Sequence, residues 1–188
     1  MPALPRAPSE APNSTVAGAA LSRRLALVGL CALAFALRVY RLDHQSLWYD
    51  EAYSLRLAQM PIGQMIPTTA SDIHPPLYYL LLKAWLPLGG ISEFALRYPS
   101  LLLGVVAVPA TYALARWLLG ARVGLFAALL TAASPFYVHY GQETRMYTLM
   151  GLCSLVAALC FVRGIAPNSL SLLPTREGAT TAGAAVRI

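Results

Sequence analysis

Three short stretches hold most of the side chains that could do chemistry. "SLWYDEAYS" sets Asp50 and Glu51 side by side among aromatics. "SDIHPPLYY" places Asp72 and His74 ahead of two prolines, with Tyr78 just after them. "HYGQETRMY" carries Glu143 and Arg145. A carboxylate can take the proton of a hydroxyl as that hydroxyl attacks. An arginine matches phosphate oxygens with two parallel N–H bonds. Asp50 and Glu143 also offer oxygen ligands, so a divalent metal is conceivable, although no spacing demands one. Each acid has a plainer reading too. Asp50 could cap a helix running to Gln59 and stopped by Pro61, with Glu51 favoured by the helix dipole in the first turn. Trp48, Tyr49 and Tyr53 would then form an interfacial aromatic belt.

The elements that must position these groups are membrane helices. Of the 188 residues, 57% are hydrophobic and 12% charged, against about 25% charged in soluble domains. The composition predicts an all-α, polytopic membrane protein. Residues 1–20, rich in Pro, Ala and Ser, read as a disordered tail. "LALVGLCALAFAL", between Arg24 and Arg38, reads as a first span; a signal peptide is the competing reading. Tyr98–Ala115, Val123–Gln142 and Met146–Val162 are uncharged and near the length that crosses hydrocarbon. Residues 76–87 are apolar but short and interrupted by Lys83, which suits an interfacial helix. Cys31, Cys153 and Cys160 lie inside apolar runs and read as small apolar residues.

Charge placement orients the chain. With residues 41–96 outside, the inner segments hold Arg6, Arg23, Arg24, Arg116, Arg122, Arg163, Arg176 and Arg187 against Glu10 and Glu177. This is the positive-inside asymmetry. Asp43, Asp50, Glu51, Asp72, Glu93 and Glu143 then all face one compartment, with His44, His74 and His139. Arg38 and Arg41 are three apart and would share a helix face beside them. Cations next to carboxylates at a headgroup boundary suit an anionic lipid head and a reaction on it. Nothing in this pattern points to nucleic acid.

The order "RVYRLDHQSLWYDEAYS", "DIHPPLYYLLLKAW", "EFALRYPSLLLG", "SPFYVHYGQETRMYTL" resembles the start of a bacterial GT-C glycosyltransferase, over about residues 22–163. The closest group is the protein mannosyltransferase and aminoarabinose transferase type, glycosyltransferase family 39-like. The resemblance implies an inverting enzyme of the cell (inner) membrane. It would move a sugar from a polyprenyl-phosphate carrier to a protein, lipid or glycan acceptor on the outer or periplasmic face. It implies Asp50 as catalytic base, with Glu51 at the second acidic position of the motif. It also implies two short amphipathic helices in the first outer loop, matching residues 50–60 and 76–87. Arg38, Arg41, Asp72, His74, Tyr78, Glu143 and Arg145 are the expected substrate-binding residues. The aminoarabinose branch has Lys where this chain has His74, so that role transfers loosely.

The family module has at least seven spans, and about four are expected here. Residues 164–188 read as an irregular tail, as truncation or a frameshift would leave, and these 188 residues alone are not expected to catalyse transfer. Two other readings stay open: a non-enzymatic polyprenyl-lipid binding or transport protein, and a structural membrane module in which Asp50 and Glu51 are caps.

Overall fold

The computed structural model describes residues 14–72 and 74–169, and every regular element among them is helical. Helix α1 (Ser14–Val39), α5 (Glu93–Leu119) and α8 (Tyr147–Ser169) are long and apolar enough to cross a membrane. Helices α6 (Ala121–Ala133) and α7 (Pro135–Gly141), which meet at a 55° bend, are together long and apolar enough for a fourth crossing. The sequence suggested one continuous helix over Val123–Gln142. The structure breaks it at Ser134, because Pro135 has no N–H to continue the ladder. Of the two expected tails, residues 1–13 and 170–188 lie outside the described residues. Residues 14–20 and 164–169, also expected in those tails, are helical and extend α1 and α8.

Helix α5 is the hub, packing on α1, α4, α6, α7 and α8. Its start is well specified: the Ser92 side chain accepts from the Ala95 N–H at 3.2 Å, with Glu93 in the first turn. Small residues let the helices close on one another. Ala34, Ala128 and Ala132 meet Val108 and Tyr112 in one buried cluster. Large apolar side chains such as Leu25, Val28, Phe126 and Phe161 face outward, as a lipid-facing surface requires.

The segment between α1 and α5 forms a second, smaller core. It contains α2 (Tyr49–Gln59), α3 (Ile62–Ala70) and α4 (Leu77–Gly89). Two helices were expected there; α2 ends at Gln59 as expected, and α3 is an addition that starts directly after Pro61. Leu57, Ala58, Met65, Tyr78, Tyr79 and Leu82 bury one another beneath Leu96 and Met146. Lys83 turns inward and donates to the carbonyls of Ala58 (3.2 Å) and Met60 (2.8 Å), closing the end of α2. At 13 residues, α4 is too short to span.

Prolines within the bundle orphan carbonyls, and side chains from other elements take their place. Pro99 cannot donate to Ala95, and the Trp85 indole N–H does so instead at 2.8 Å. Pro135 cannot donate to Thr131, and Arg38 fills that gap. Its Nη2 donates to the Thr131 carbonyl at 3.1 Å and its Nη1 to the Ala132 carbonyl at 3.0 Å. Arg38 is fully buried, and its stem passes between Gly104 and Gly141. A Cβ at either glycine would lie 2.9 Å from an Arg38 atom, so both positions must stay bare. In return, Gln142 Nε2 donates to the carbonyls of Arg38 (3.1 Å) and Tyr40 (2.9 Å), covering the end of α1.

Replacing Arg38 by Met should lower the detergent melting midpoint, since each buried carbonyl left bare costs about 1–3 kcal/mol. Adding Pro135→Ala restores an N–H for Thr131 and should recover part of the loss. If Pro135→Ala helps wild type as much as it helps Arg38→Met, the substitution of donors described here is wrong.

Candidate active site

Asp50 and Glu51 are neighbours with opposite surroundings. The first turn of α2 begins after Trp48, so Asp50 and Glu51 occupy its second and third positions. Asp50 is therefore not the cap. The capping contact belongs to Glu51, which accepts from the Trp48 N–H at 3.4 Å. Glu51 is fully buried. Arg97 grips it with both arms, Nε to Oε1 at 2.8 Å and Nη2 to Oε2 at 2.7 Å. The Thr144 N–H donates to Oε1 at 2.9 Å. Arg97 also donates to the carbonyls of Leu42 and Gln45, both at 2.8 Å, and of Ser46 at 3.3 Å. Burial alone would raise the Glu51 pKa. The bonds from Arg97 and Thr144 and the Arg97 charge outweigh it and hold the carboxyl below its ordinary value. Glu51, expected beside Asp50 in catalysis, has both oxygens bonded to Arg97 and borders a different cavity from the one Asp50 lines.

Asp50 keeps about a third of its side chain exposed. It lines a cavity of about 460 Å³ with Tyr53, Asp72, His74 and Arg145, framed by Tyr49, Thr68 and Ser71. The charged groups form a chain across it. Asp72 Oδ2 is 3.2 Å from His74 Nδ1, and His74 Nε2 is 3.4 Å from Arg145 Nη2. Arg145 Nη2 lies 3.6 Å from Asp50 Oδ2, and its Nη1 donates to the Asp50 carbonyl at 3.4 Å. Arg145 is itself buried and rests over the Tyr147 ring at 5.7 Å. Thus α2, the turn before α4 and the turn before α8 each bring a group to one space.

The remaining expected residues lie elsewhere. Glu143 lines a separate cavity of about 370 Å³ with Arg41, Gln45 and Trp48, behind the Glu51–Arg97 pair. It stands 3.1 Å from His139 Nε2. Burial raises its pKa, the charges of Glu51 and Asp50 add to that, and His139 opposes it. Arg41 does not share a helix face with Arg38. Helix α1 ends at Val39, and Arg41 sits at φ +57 in the following turn, beside His44. Arg38 is committed to the break between α6 and α7. The Tyr78 hydroxyl is turned away from the cavity and lies 2.8 Å from Ser100 Oγ, and Ser100 in turn donates to the Arg145 carbonyl. Asp50 and Glu143 line different cavities. Among the described residues, no three His, Cys, Asp or Glu side chains gather where a metal ion could be held.

Two residues near the site were not singled out by sequence. Arg97 looked like the border of a span, and only the fold shows it reaching back 46 residues to Glu51. Tyr79, adjacent to Tyr78, is buried with its hydroxyl unpaired. Burial raises its phenol above the ordinary value; Arg145 opposes this, while Asp72, Tyr53 and Asp50 add to it. The pair "YY" could not say which ring faces which way.

A multi-pass, all-helical chain that gathers an open aspartate, a buried arginine and a histidine in the turns at one end of its bundle fits the GT-C class of membrane glycosyltransferases. Residues 73–185, more than half of the chain, match the family model described as dolichyl-phosphate-mannose-protein mannosyltransferase, and the chain belongs to that family. The matched stretch contains His74, Glu143 and Arg145, while Asp50, Glu51 and Asp72 precede it. No curated protein and no solved structure matches the chain.

The Glu51–Arg97 pair yields a stability prediction. Glu51→Gln leaves a buried guanidinium without its counter-charge and should cost about 3–5 kcal/mol in a detergent melt. The pH dependence has a definite sign. The folded carboxyl titrates below its ordinary value near 4.5, so its contribution is complete above that value. It is lost as pH falls through the lowered one. Wild type should lose melting temperature on acidification through that window, and Glu51→Gln should lose less; equal losses would contradict the assignment.

Proposed function

We propose that the protein supplies the base and the phosphate-binding cation of an enzyme that transfers a sugar from a polyprenyl-phosphate carrier to a hydroxyl of a protein, lipid or glycan acceptor, with inversion at the anomeric carbon. The observation that carries this reading is the contrast between the adjacent acids. Asp50 stands at an open cavity, 3.6 Å from a buried arginine, while Glu51 beside it is sealed into the fold.

In this reading the acceptor hydroxyl gives its proton to Asp50 as its oxygen forms a bond to the anomeric carbon. The bond from that carbon to the phosphate oxygen breaks, and the polyprenyl phosphate leaves with both electrons. Arg145 offsets the charge growing on the phosphate; it is held by its own burial and by Tyr147. His74, oriented by Asp72, is placed to contact the phosphate or the acceptor. The end of the bundle that carries this cavity would face outside or the periplasm, and the opposite, arginine-rich end the cytoplasm.

The chemical step is tested in membranes carrying the protein, supplied with a polyprenyl-phosphate sugar and candidate acceptors. Asp50→Asn should lower transfer by about 10²–10⁴-fold with carrier binding retained, and Arg145→Met should weaken carrier binding. Transfer by Asp50→Asn near the wild-type rate would remove Asp50 from the role of base. Binding by wild type without any transfer would favour a carrier-binding protein instead. Orientation is tested by labelling single cysteines at Ser71 and Ala121 after the native cysteines are removed. Position 71 should react from outside the cell and position 121 should not.

A further inference from the structure

The arginine-rich end of the bundle holds a cavity that the proposed reaction does not use. We infer that it binds the phosphodiester headgroup of an anionic phospholipid. The cavity, about 310 Å³, lies between α1 and the end of α5 and is lined by Arg23, Arg24, Leu27, Tyr112 and Arg116. Three guanidinium groups therefore border one space. Among the described residues none of them forms an ion pair, because every described acid lies at the other end, Glu93 in the first turn of α5 and the rest in the turns and loop helices.

Tyr112 lines the same space and is more than nine-tenths buried as a residue. Its ring is fixed: Arg116 lies over it at 6.0 Å, and Gly124 brings α6 so near that a Cβ there would stand 3.1 Å from the ring and from Arg116. The cavity thus offers three cations, against one rigid wall, to a small anion.

The surroundings select the source of that anion. Leu25 and Val28, both more than half exposed, follow Arg23 and Arg24 toward the membrane on α1. Acyl chains running down from a phosphate held by the arginines would lie along that surface. A phosphodiester needs donors and a cation but no water-filled approach, and basic pockets between membrane helices commonly take such headgroups.

Native mass spectrometry of the full chain tests the inference. Delipidated protein is mixed with phosphatidylglycerol, phosphatidylcholine or inorganic phosphate. Wild type should retain phosphatidylglycerol in preference to phosphatidylcholine, and equimolar inorganic phosphate should not displace it. Arg23→Gln, Arg24→Gln and Arg116→Gln together should weaken that retention by at least about tenfold. Arg163→Gln, at the same end of the bundle but outside the cavity, should leave it unchanged. Displacement by inorganic phosphate would mean that the site takes a free anion, which overturns the lipid assignment. An equal loss in Arg163→Gln would reduce the effect to general charge attraction and overturn it too. So would full retention by the triple variant.

Discussion

The buried pair of Glu51 and Arg97 ties together every element around the candidate active site. One carboxylate and one guanidinium connect the first turn of α2, the turn after α1, the start of α5 and the turn before α8. Burying both charges costs several kcal/mol each, and attraction between them repays this only when the remaining donors and acceptors are also met. Here they are met by backbone groups of the segments that must be fixed. The pair is therefore less a source of net stability than a constraint on geometry. It sets where Asp50 points, because Asp50 immediately precedes Glu51 on the same helical turn. It sets where Arg145 lies, because Thr144 is bonded to the same carboxylate.

The pair borders the cavity that holds Glu143, while Asp50 lines another. What looked like one cluster of acids and bases is two separate spaces. One contains a linked chain of Asp72, His74, Arg145 and Asp50; the other contains Glu143 with His139 and Arg41 nearby. A reaction that needs an open base beside a phosphate-binding cation finds both in the first. In the second, Glu143 is largely enclosed and already beside a histidine.

Much of this architecture could be read from the sequence, and the failures have physical causes. The spans follow from uncharged runs of sufficient length, and the shortness of residues 76–89 excluded a further crossing. The gathering of Asp50, Asp72, His74 and Arg145 followed from placing three polar turns on one membrane face. Polar contacts that join residues far apart were not legible. Arg97 closed a hydrophobic run on paper, and nothing local said that it would reach Glu51. Arg38 looked like a surface cation at a helix end, because the orphaned Thr131 carbonyl that attracts it is created by Pro135, 97 positions later. Helix α3 was missed because Pro61 was read as a stop, although a proline at a helix entry serves equally well. Asp50 was placed two positions too early in its helix, and the cap contact belongs instead to Glu51.

The exchange between Arg38 and Pro135 has a consequence for how the protein is made. Arg38 emerges from the ribosome long before the carbonyls it will hold. Until α6 and α7 arrive, the one carbonyl within α1 that it bonds is that of Ala34, and its charge must stay at the water boundary, where its long stem can reach. The first helix therefore waits in a shallower position than it finally occupies. It settles to its full depth only when the broken helix presents Thr131 and Ala132. Insertion of the first helix and packing of the third crossing are then one event, completed late, and a missing or misplaced α6 would leave α1 insecure even though it was synthesised first.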